Sequence, residues 1–306
     1  MNKVLISVIG PTAIGKTKLA ILLANHFQTE IISADSRQFF KEMSIGTAVP
    51  NTIELTSAIH HFIQHKSIQD TYSVGDFERD AIQKLDELFQ RYEVVIMVGG
   101  SGLYVDAVTK GLDSFPEVDG AIREKLNWEL VEKGIESLQS KLMELDPNHY
   151  QKIDLQNPHR LIRALEICIG TGKPYSSFLN QSTQQRSFKV LSVSLKADRK
   201  IVYERINKRV DLMTQDGLLG EAQSLINYRN LNALQTVGYR ELFEYLDGNW
   251  TLDFAISEIK KNTRRFAKRQ ITWFKKNNNI LWMEYDRNPF DMIAEVEGAV
   301  KELQDA

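Results

Sequence analysis

The stretch Gly10-Pro11-Thr12-Ala13-Ile14-Gly15-Lys16-Thr17, here called the phosphate loop, decides the fold of this 306-residue chain. It follows an apolar run, Val4 to Ile9, and precedes a helical pattern from Lys16 to His26. In this order of strand, loop and helix, the pattern GxxxxGKT binds phosphate through backbone N–H groups and the helix N-terminus. Lys16 then reaches the terminal phosphate oxygens, and the Thr17 hydroxyl binds Mg²⁺. The motif predicts a phosphorylated ligand with magnesium, and the alternative is a chance glycine turn.

The phosphate loop does not distinguish a protein that spends ATP from one that holds another diphosphate. A protein that hydrolyses ATP normally has a second strand that ends in an acidic residue. The clearest candidate strand, Val94 to Val98, is followed by Gly99-Gly100-Ser101-Gly102 instead. The acidic residue nearest a strand end is Asp35, after the run Glu30 to Ser33. Because the carboxyl ends of parallel strands border the ligand crevice, Asp35 is predicted beside the phosphates as a metal helper or a general base.

Strand and helix patterns alternate along the chain, which predicts an α/β fold with a P-loop parallel-sheet core. The other strand-like runs are Val190 to Leu195 and the short Ile280 to Met283. Between Leu112 and Lys189 we find helical patterns and no strand pattern. We therefore expect a helical insertion domain at residues 113–187, left through the polar stretch 180–185. Residues 1–112 and 188–306 form the catalytic core, with a basic helical region near the C-terminus.

Composition narrows the class of protein. No run approaches the ~20 apolar residues of a membrane span, and the N-terminus has no signal-peptide pattern, so a cytoplasmic protein without a membrane partner is expected. The single cysteine, Cys168, lies in an apolar helical run and is predicted to be a buried core thiol. His60, His61 and His65 lack a second cluster at ligand spacing, so packing or hydrogen bonding is expected rather than a metal site.

The charge distribution is uneven. The formal net charge of −2 argues against a generic nucleic-acid binder. Residues 259–283 nevertheless contain no acidic residue, and the basic ones are Lys260, Lys261, Arg264, Arg265, Lys268, Arg269, Lys275 and Lys276. With Phe266, Trp273 and Phe274 interleaved, such a helix could follow a phosphate backbone and stack on bases. The alternative is a helix with one core face and one solvated face.

Taken in order, these segments resemble the tRNA dimethylallyltransferase family along the whole chain. The carriers are GPTAIGKTKLA at Gly10 to Ala20, SADSRQFFKEMSIGTA at Ser33 to Ala48, GGSGLYVDAVTKGL at Gly99 to Leu112, NPHRLIRALE at Asn157 to Glu166, QTVGYRE at Gln235 to Glu241 and TRRFAKRQITWF at Thr263 to Phe274. The resemblance implies transfer of a dimethylallyl group from dimethylallyl diphosphate to the N6 amine of the adenosine 3′ to the anticodon. Two residues depart from the family pattern: Val49 replaces a lysine, and Ser101 replaces a threonine but keeps the hydroxyl.

The resemblance also implies roles for individual residues. Residues 12–17 and Arg209 hold the donor diphosphate, with Lys16 and a magnesium ion on Thr17 neutralising charge as the C–O bond breaks. Arg209 has the alternative of a surface helix arginine. Asp35 takes the amine proton, with an outer magnesium ligand as the other role left open. Ser36 and Gln38 would read the adenine edge, since a glutamine amide can pair bidentately with adenine.

The same resemblance assigns a set of residues to contact with the tRNA anticodon arm: Asp35, Ser36, Arg37, Gln38, Ser101, Arg123, His159, Arg160, Arg163, Gln235, Gly238, Tyr239, Arg240, Lys268, Arg269, Gln270 and Trp273. Arg160 and Arg163 are three residues apart on one helical face, which suits two neighbouring phosphates. The alternative is that these two arginines pair with Asp154 and Glu166.

Two other functions remain open from the sequence. A prenyltransferase that acts on free adenine nucleotides shares the donor chemistry, but it would not require the helical insertion or the basic aromatic helix. A small-molecule kinase shares the phosphate loop and can place an aspartate after the second strand. The Gly99-Gly100-Ser101-Gly102 strand end argues against a kinase. The chain is expected to act as a monomer.

Overall fold

The computed structural model describes residues 3–179 and 186–305, which fall into two compact units. Unit 1 comprises Met1–Thr109 and Arg186–Ala306, and unit 2 comprises Lys110–Gln185. The predicted polar exit at residues 180–185 lies outside the described residues. In the described ranges, no helix combines the length and the apolarity needed to cross a membrane.

The described part of unit 1 contains a six-stranded parallel sheet, which confirms the predicted α/β fold class. Its strands are β1 (Val4–Ile9), β2 (Ile31–Ser33), β3 (His60–His61), β4 (Val94–Val98), β5 (Lys189–Lys196) and β6 (Ile280–Glu284). Their order in the sheet is β3-β2-β4-β1-β5-β6. In the central strand, Val4 pairs with Val94 on one side and with Lys189 on the other.

Helices account for most of the remaining described residues. They are α1 (Lys16–Phe27), α2 (Thr52–Ser57), α3 (Val74–Leu88), α4 (Gly102–Lys110), α5 (Gly120–Lys133), α6 (Ile135–Leu145), α7 (Pro147–Tyr150), α8 (Pro158–Thr171), α9 (Arg199–Gln215), α10 (Leu218–Ser224), α11 (Tyr239–Leu246), α12 (Leu252–Phe274) and α13 (Pro289–Asp305). Helix α10 ends at Ser224, and a 3-10 turn follows at Ile226–Tyr228.

Layers of helices bury the sheet on both faces, and the side chains of β1 alternate between these two faces. Val4, Ile6 and Val8 point to the layer that contains α1 and α13. Leu5 and Ile9 point to the layer that contains α3, whose apolar stripe includes Phe77 and Leu85. Helix α3 begins in a capping box, in which Ser73 Oγ accepts a hydrogen bond from the Asp76 N–H. Each such buried side chain contributes about 1.5–3 kcal/mol, so the six apolar and small residues of β1 anchor unit 1.

The edge strand β3 was not predicted. His60 and His61 pair with Ile31 and Ile32 of β2. His61 Nε2 lies 2.6 Å from Glu30 Oε2, and His60 Nδ1 lies 2.8 Å from the Ala58 carbonyl oxygen, so the expectation of hydrogen-bonded histidines is confirmed. Burial alone would raise the pKa of Glu30, but the hydrogen bonds from His61 and Tyr92 lower it below its usual value.

Unit 2 is a small helical bundle made of α5 to α8. Its core contains Leu126 of α5, Leu138 and Leu142 of α6, and Leu161 and Leu165 of α8, and the two pairs are each spaced four residues apart on one helical face. Cys168 is free and buried in the same core, as predicted. Helix α8 ends where Gly172 adopts a left-handed φ of 68°.

The two points where the chain leaves and re-enters unit 1 are joined by Arg186. Its Nη2 atom donates a 2.6 Å hydrogen bond to the Ala107 carbonyl oxygen and lies 2.5 Å from Glu78 Oε1. The side chains of Arg186 and Glu78 are only 11% and 12% exposed. The ion pair joins Arg186, three residues before β5, to α3, and the hydrogen bond to Ala107 joins it to α4, all within unit 1.

Candidate active site

The phosphate loop forms a tight connection between β1 and α1. Gly10, Ala13 and Gly15 have φ angles of 130°, 64° and 113°. Glycine adopts these angles freely, whereas a left-handed alanine costs about 1–2 kcal/mol. Arg205 holds Ala13 in this conformation, because its Nε donates a 2.7 Å hydrogen bond to the Ala13 carbonyl oxygen. Successive N–H groups of such a loop can surround an anion at the helix N-terminus.

Gln270 of α12 fastens the phosphate loop from the other side. Its Oε1 accepts a 2.8 Å hydrogen bond from the Thr12 N–H, and its Nε2 donates a 2.9 Å hydrogen bond to the Gly100 carbonyl oxygen. The residue is 6% exposed. Gly100 must lack a side chain, because a Cβ there would collide with the Gln270 amide. One side chain therefore links the loop after β1 to the end of β4.

Lys16 and Asp35 form an electrostatically coupled pair in the half-buried site. Lys16 Nζ donates a 2.8 Å hydrogen bond to the Pro11 carbonyl oxygen. Loss of hydration lowers the pKa of Lys16 to about 8, with Asp35 opposing and Arg209 reinforcing that change. Loss of hydration also raises the pKa of Asp35, although the Arg37 N–H, Lys16, Arg37 and Arg209 stabilise its charged form. Burial thus brings the two pKa values closer together.

Two arginines add positive charge to the same region. Arg209 Nη1 lies 3.4 Å from Thr12 Oγ1, at the phosphate loop. Arg37 Nη1 donates hydrogen bonds to the carbonyl oxygens of Asn232 and Ala233, at 2.8 and 3.1 Å. Desolvation is the main factor that lowers the pKa of each guanidinium. Since arginine stays protonated in proteins, these groups keep a permanent positive charge next to Asp35.

A cavity of about 530 Å³ in unit 1 brings many of the predicted site residues together. The predicted residues that line it are Thr12, Asp35, Ser36, Arg37, Ser101, Arg209, Gln235, Gly238, Arg240, Arg269, Gln270 and Trp273. Asp35 is the only acidic side chain among the described lining residues. Thr12 and Arg209, which are expected at the diphosphate, therefore share one cavity with residues expected at the tRNA, whereas residues 13–17 do not line it.

Small and aromatic residues shape the cavity wall. Ser36 N donates a 3.2 Å hydrogen bond to Ser101 Oγ, which joins the segments that follow β2 and β4. Trp273 Nε1 donates a 2.8 Å hydrogen bond to Asp106 Oδ2. The indole packs against Gly102, where any Cβ would overlap the ring. Trp273 keeps 37% of its surface exposed, and Lys276 Nζ lies 5.5 Å from the centroid of its ring.

Three of the residues expected to contact tRNA have hydrogen-bond partners within the protein. Tyr239 is completely buried and its hydroxyl donates a 2.6 Å hydrogen bond to Glu221 Oε1, so its side chain does not reach the cavity. Gln38 does not line the cavity, because its amide donates to the carbonyl oxygens of Thr47 and Ala48 at 3.2 and 2.9 Å. That amide is therefore not available to read an adenine edge. Gln270 is likewise committed to Thr12 and Gly100.

Lys268 lies apart from the other predicted residues of α12. It lines a second cavity of about 820 Å³, on the face of α12 that points toward Pro11, Leu195 and Tyr203. Arg269 and Trp273 line the first cavity. The basic helix thus presents charge on two faces, so the predicted run Lys268 to Trp273 does not form a single contact surface.

The predicted residues of unit 2 cluster around Glu166. Arg123 donates to its two carboxylate oxygens at 3.1 and 2.7 Å, and Arg163 donates to Oε2 at 2.9 Å. The alternative that Arg163 pairs with Glu166 is therefore confirmed. His159 and Arg160, in the first turn of α8, are exposed to solvent.

Arg205 was not predicted, although it shapes the phosphate loop through Ala13. A signal for it was present, because Arg205 lies four residues before Arg209 and so on the same face of α9. The spacing alone would have placed both arginines at the loop.

The chain is similar to known proteins over most of its length. A family model described as IPP transferase matches residues 38–277. A tRNA dimethylallyltransferase from Christiangramia forsetii is 62% identical over 300 residues, which cover 98% of this chain and 99% of that protein. One from Flavobacterium johnsoniae is 59% identical over 94% of this chain and 95% of that protein.

Solved structures are similar as well. A tRNA isopentenylpyrophosphate transferase from Bacillus halodurans aligns over 100% of this chain and 97% of its own length, with 35% identity and a TM-score of 0.74. A eukaryotic dimethylallyltransferase described as acting on tRNA aligns over 97% of this chain and 78% of its own, with 26% identity and a TM-score of 0.81.

Replacing Gln270 tests its role at the phosphate loop. In Gln270→Ala, the Thr12 N–H and the Gly100 carbonyl oxygen lose their partner, so the Kd for inorganic pyrophosphate should rise about tenfold. Isothermal titration calorimetry measures this change. Gln223→Ala, at an exposed position of α10, is the matched control and should bind like the wild type. An unaltered Kd in a folded Gln270→Ala protein would contradict this role.

Proposed function

The chain belongs to the IPP transferase family and acts as a tRNA dimethylallyltransferase, and we propose that the unit 1 cavity joins its two substrates. The donor is dimethylallyl diphosphate, whose diphosphate binds the phosphate loop. The acceptor is the N6 amine of the adenosine 3′ to the anticodon. The observation that carries this proposal is that the cavity connects Thr12 and Arg209 with Asp35 and Ser101.

The donor half rests on positive charge at the phosphate loop. Lys16 and Arg209 can neutralise the diphosphate as its bond to the allylic carbon breaks, and the N–H groups of residues 12–17 can hold its oxygens. Both groups have lowered pKa values, which indicates that they gain from an anion in place of the lost water. Arg205 keeps the loop in its binding shape through Ala13.

The residues present fit a magnesium ion. Thr17 offers one hydroxyl at the start of α1, and Asp35 is the single carboxylate that lines the described cavity. Mg²⁺ usually keeps several waters and binds through one or two protein groups plus substrate phosphates, so this small donor set suits it. When bound, the ion would neutralise charge on the departing diphosphate. Thr17 would hold it, and an outer contact with Asp35 is the alternative role for that carboxylate.

The acceptor half rests on Asp35. As the amine nitrogen forms its bond to the allylic carbon, the bond from that carbon to the diphosphate oxygen breaks and pyrophosphate leaves. The nitrogen then carries positive charge, and its proton passes to the Asp35 carboxylate. A raised pKa makes Asp35 a stronger base than an exposed aspartate, while Lys16, Arg37 and Arg209 favour the charged form.

The remaining cavity residues suit a nucleotide taken out of its stack. Trp273 and Phe266, with 37% and 38% of their surfaces exposed, offer rings for base stacking at the cavity. Arg240 and Arg269 are exposed cations on the same cavity and can bind phosphates. In unit 2, we assign phosphate contacts to His159 and Arg160, with Arg123 and Arg163 contributing charge next to Glu166. A monomer in the cytoplasm is the proposed form of the enzyme.

A radiolabel transfer assay tests this function. Labelled dimethylallyl diphosphate and Mg²⁺ are incubated with an unmodified tRNA that carries adenosine after the anticodon, beside AMP, ADP and ATP. We expect label on the tRNA alone. Label on the free nucleotides would reassign the chain to the free-nucleotide prenyltransferases. Label on no acceptor, with consumption of ATP, would favour a kinase.

The role of Asp35 predicts a separation of chemistry from binding. In Asp35→Asn, the isosteric amide cannot take the amine proton, so the single-turnover rate of transfer should fall at least about 100-fold. Filter binding should give a Kd for tRNA within about threefold of the wild type, because the cavity keeps its shape. Asp86→Asn, at an exposed site on α3, is the control. A loss of tRNA binding that matches the loss of rate would instead identify Asp35 as a structural residue.

The lowered pKa of Lys16 predicts a pH dependence of diphosphate binding. Above pH 8 the free protein loses the Lys16 proton, since its pKa is about 8, and an anion must then bind with uptake of a proton. The affinity for pyrophosphate, relative to that of Lys16→Arg, should therefore fall by up to about tenfold per pH unit above this value. Calorimetric titrations from pH 6.5 to 9.5 measure the ratio, with pyrophosphate ionisation common to both proteins. A ratio that stays constant across this range would contradict the assignment.

A further inference from the structure

The carboxylate of Glu221 on α10 accepts four hydrogen bonds, three from the backbone of a loop and one from a buried tyrosine. Its Oε2 accepts from the N–H groups of Ser44 and Ile45 at 2.9 and 2.8 Å. Its Oε1 accepts from the Gly46 N–H at 2.8 Å and from the Tyr239 hydroxyl at 2.6 Å. A carboxylate has about four acceptor sites, so all of its capacity is used here.

The loop from Ser44 to Ala48 is fixed on both sides. Gly46 packs so closely on Tyr239 that an added Cβ would lie 2.7 Å from the phenol ring. On the other side, the Gln38 amide donates to the carbonyl oxygens of Thr47 and Ala48. Since charge-assisted hydrogen bonds are stronger than neutral ones, Glu221 makes the stronger of the two attachments.

Both segments that Glu221 joins form walls of the proposed active site. Gly46, Thr47 and Ala48 line the cavity in one segment, and Gln235–Gly238 and Arg240 line it in the other. Tyr239 lies within the second segment, with its side chain turned into the core. Glu221 itself does not line the cavity. The carboxylate therefore couples the two walls from behind.

We propose that Glu221, through Tyr239, is a positioning residue that sets the distance between these two walls and so the fit of the acceptor nucleotide. The inference rests on the proposed function, because the walls matter only if a base enters between them. It does not involve the diphosphate, since the phosphate loop is held separately by Gln270 and Arg205. We call the hydrogen bonds of Glu221 to residues 44–46 and to Tyr239 the clamp. Weakening the clamp should therefore weaken the use of tRNA while leaving the diphosphate site intact.

Glu221→Gln and Tyr239→Phe test the clamp without changing its size. An amide at 221 turns an NH₂ group toward backbone N–H donors, so at least one of them loses its acceptor. The KM for tRNA should rise about tenfold in Glu221→Gln and less in Tyr239→Phe, which loses one neutral donor. The kcat and the Kd for pyrophosphate should stay within about twofold of the wild type.

Glu42→Gln is the matched control. Glu42 also accepts a backbone hydrogen bond, from the Ile68 N–H at 3.0 Å, and one from Ser67 Oγ at 2.7 Å, but neither partner lines the cavity. The KM of Glu42→Gln for tRNA should match that of the wild type, even if the melting temperature of this variant falls as much as that of Glu221→Gln.

Two results would overturn the clamp in a wild type that modifies tRNA. One is an unchanged KM for tRNA in both clamp variants. The other is an equal loss of pyrophosphate affinity and tRNA use, which would mean that Glu221 only stabilises the fold. If Glu221→Gln does not fold, Tyr239→Phe alone decides. A wild type that transfers no label to tRNA would instead overturn the proposed function, and the two failures are therefore distinguishable.

Discussion

In a parallel sheet, the carboxyl ends of all strands lie on the same side, and the segments that follow four of these ends supply the candidate active site. The phosphate loop follows β1, and Asp35 follows β2. Gly100 and Ser101 follow β4, and α9, which carries Arg209, follows β5. The sheet thus brings together segments that are far apart in the chain. Side chains such as Gln270 then hold the loops in place.

Desolvated charge dominates the chemistry of this edge. Three cations, Lys16, Arg37 and Arg209, act on the single carboxylate of Asp35, so this region carries excess positive charge. The cost of removing these groups from water appears as lowered pKa values for the cations. A diphosphate would relieve that cost, because it supplies the negative charge that the cavity lacks. The same cations favour the charged form of Asp35 and so oppose the rise in its pKa that desolvation causes.

Much of the fold could be predicted from the sequence because its strong signals are local. Strand β4 is an unbroken apolar run, and β1 is apolar except for Ser7. The glycine-rich loop before α1 marks where this helix begins. Strand β3 has two residues and pairs mainly through its backbone, so no pattern of side chains marks it. The same limit applies to the site. The family resemblance assigned Gln270 to tRNA contact, whereas in the structure its side chain binds Thr12, 258 residues away.

The hydrogen bonds that Tyr239 and Gln38 make within the protein could not be predicted from the sequence, for one physical reason. A polar side chain in a functional segment can point to the ligand or bind the segment that contacts the ligand. Local sequence does not distinguish these choices, because the deciding hydrogen bonds come from distant positions such as Glu221. The position of Asp35 was easier to predict, because Asp35 closely follows β2 and the carboxyl ends of parallel strands lie together.

The attachment of Arg186 to Ala107 has a consequence for how this chain can evolve. The two flanks of residues 110–185 are joined within unit 1, because Arg186 pairs with Glu78 and donates a hydrogen bond to the Ala107 carbonyl oxygen. The sheet register therefore does not depend on how many residues connect these ends, and the entropy of closing such a connection changes slowly with its length. Insertions, deletions or exchange of the whole bundle could accumulate there while β1, β4 and β5 stay aligned.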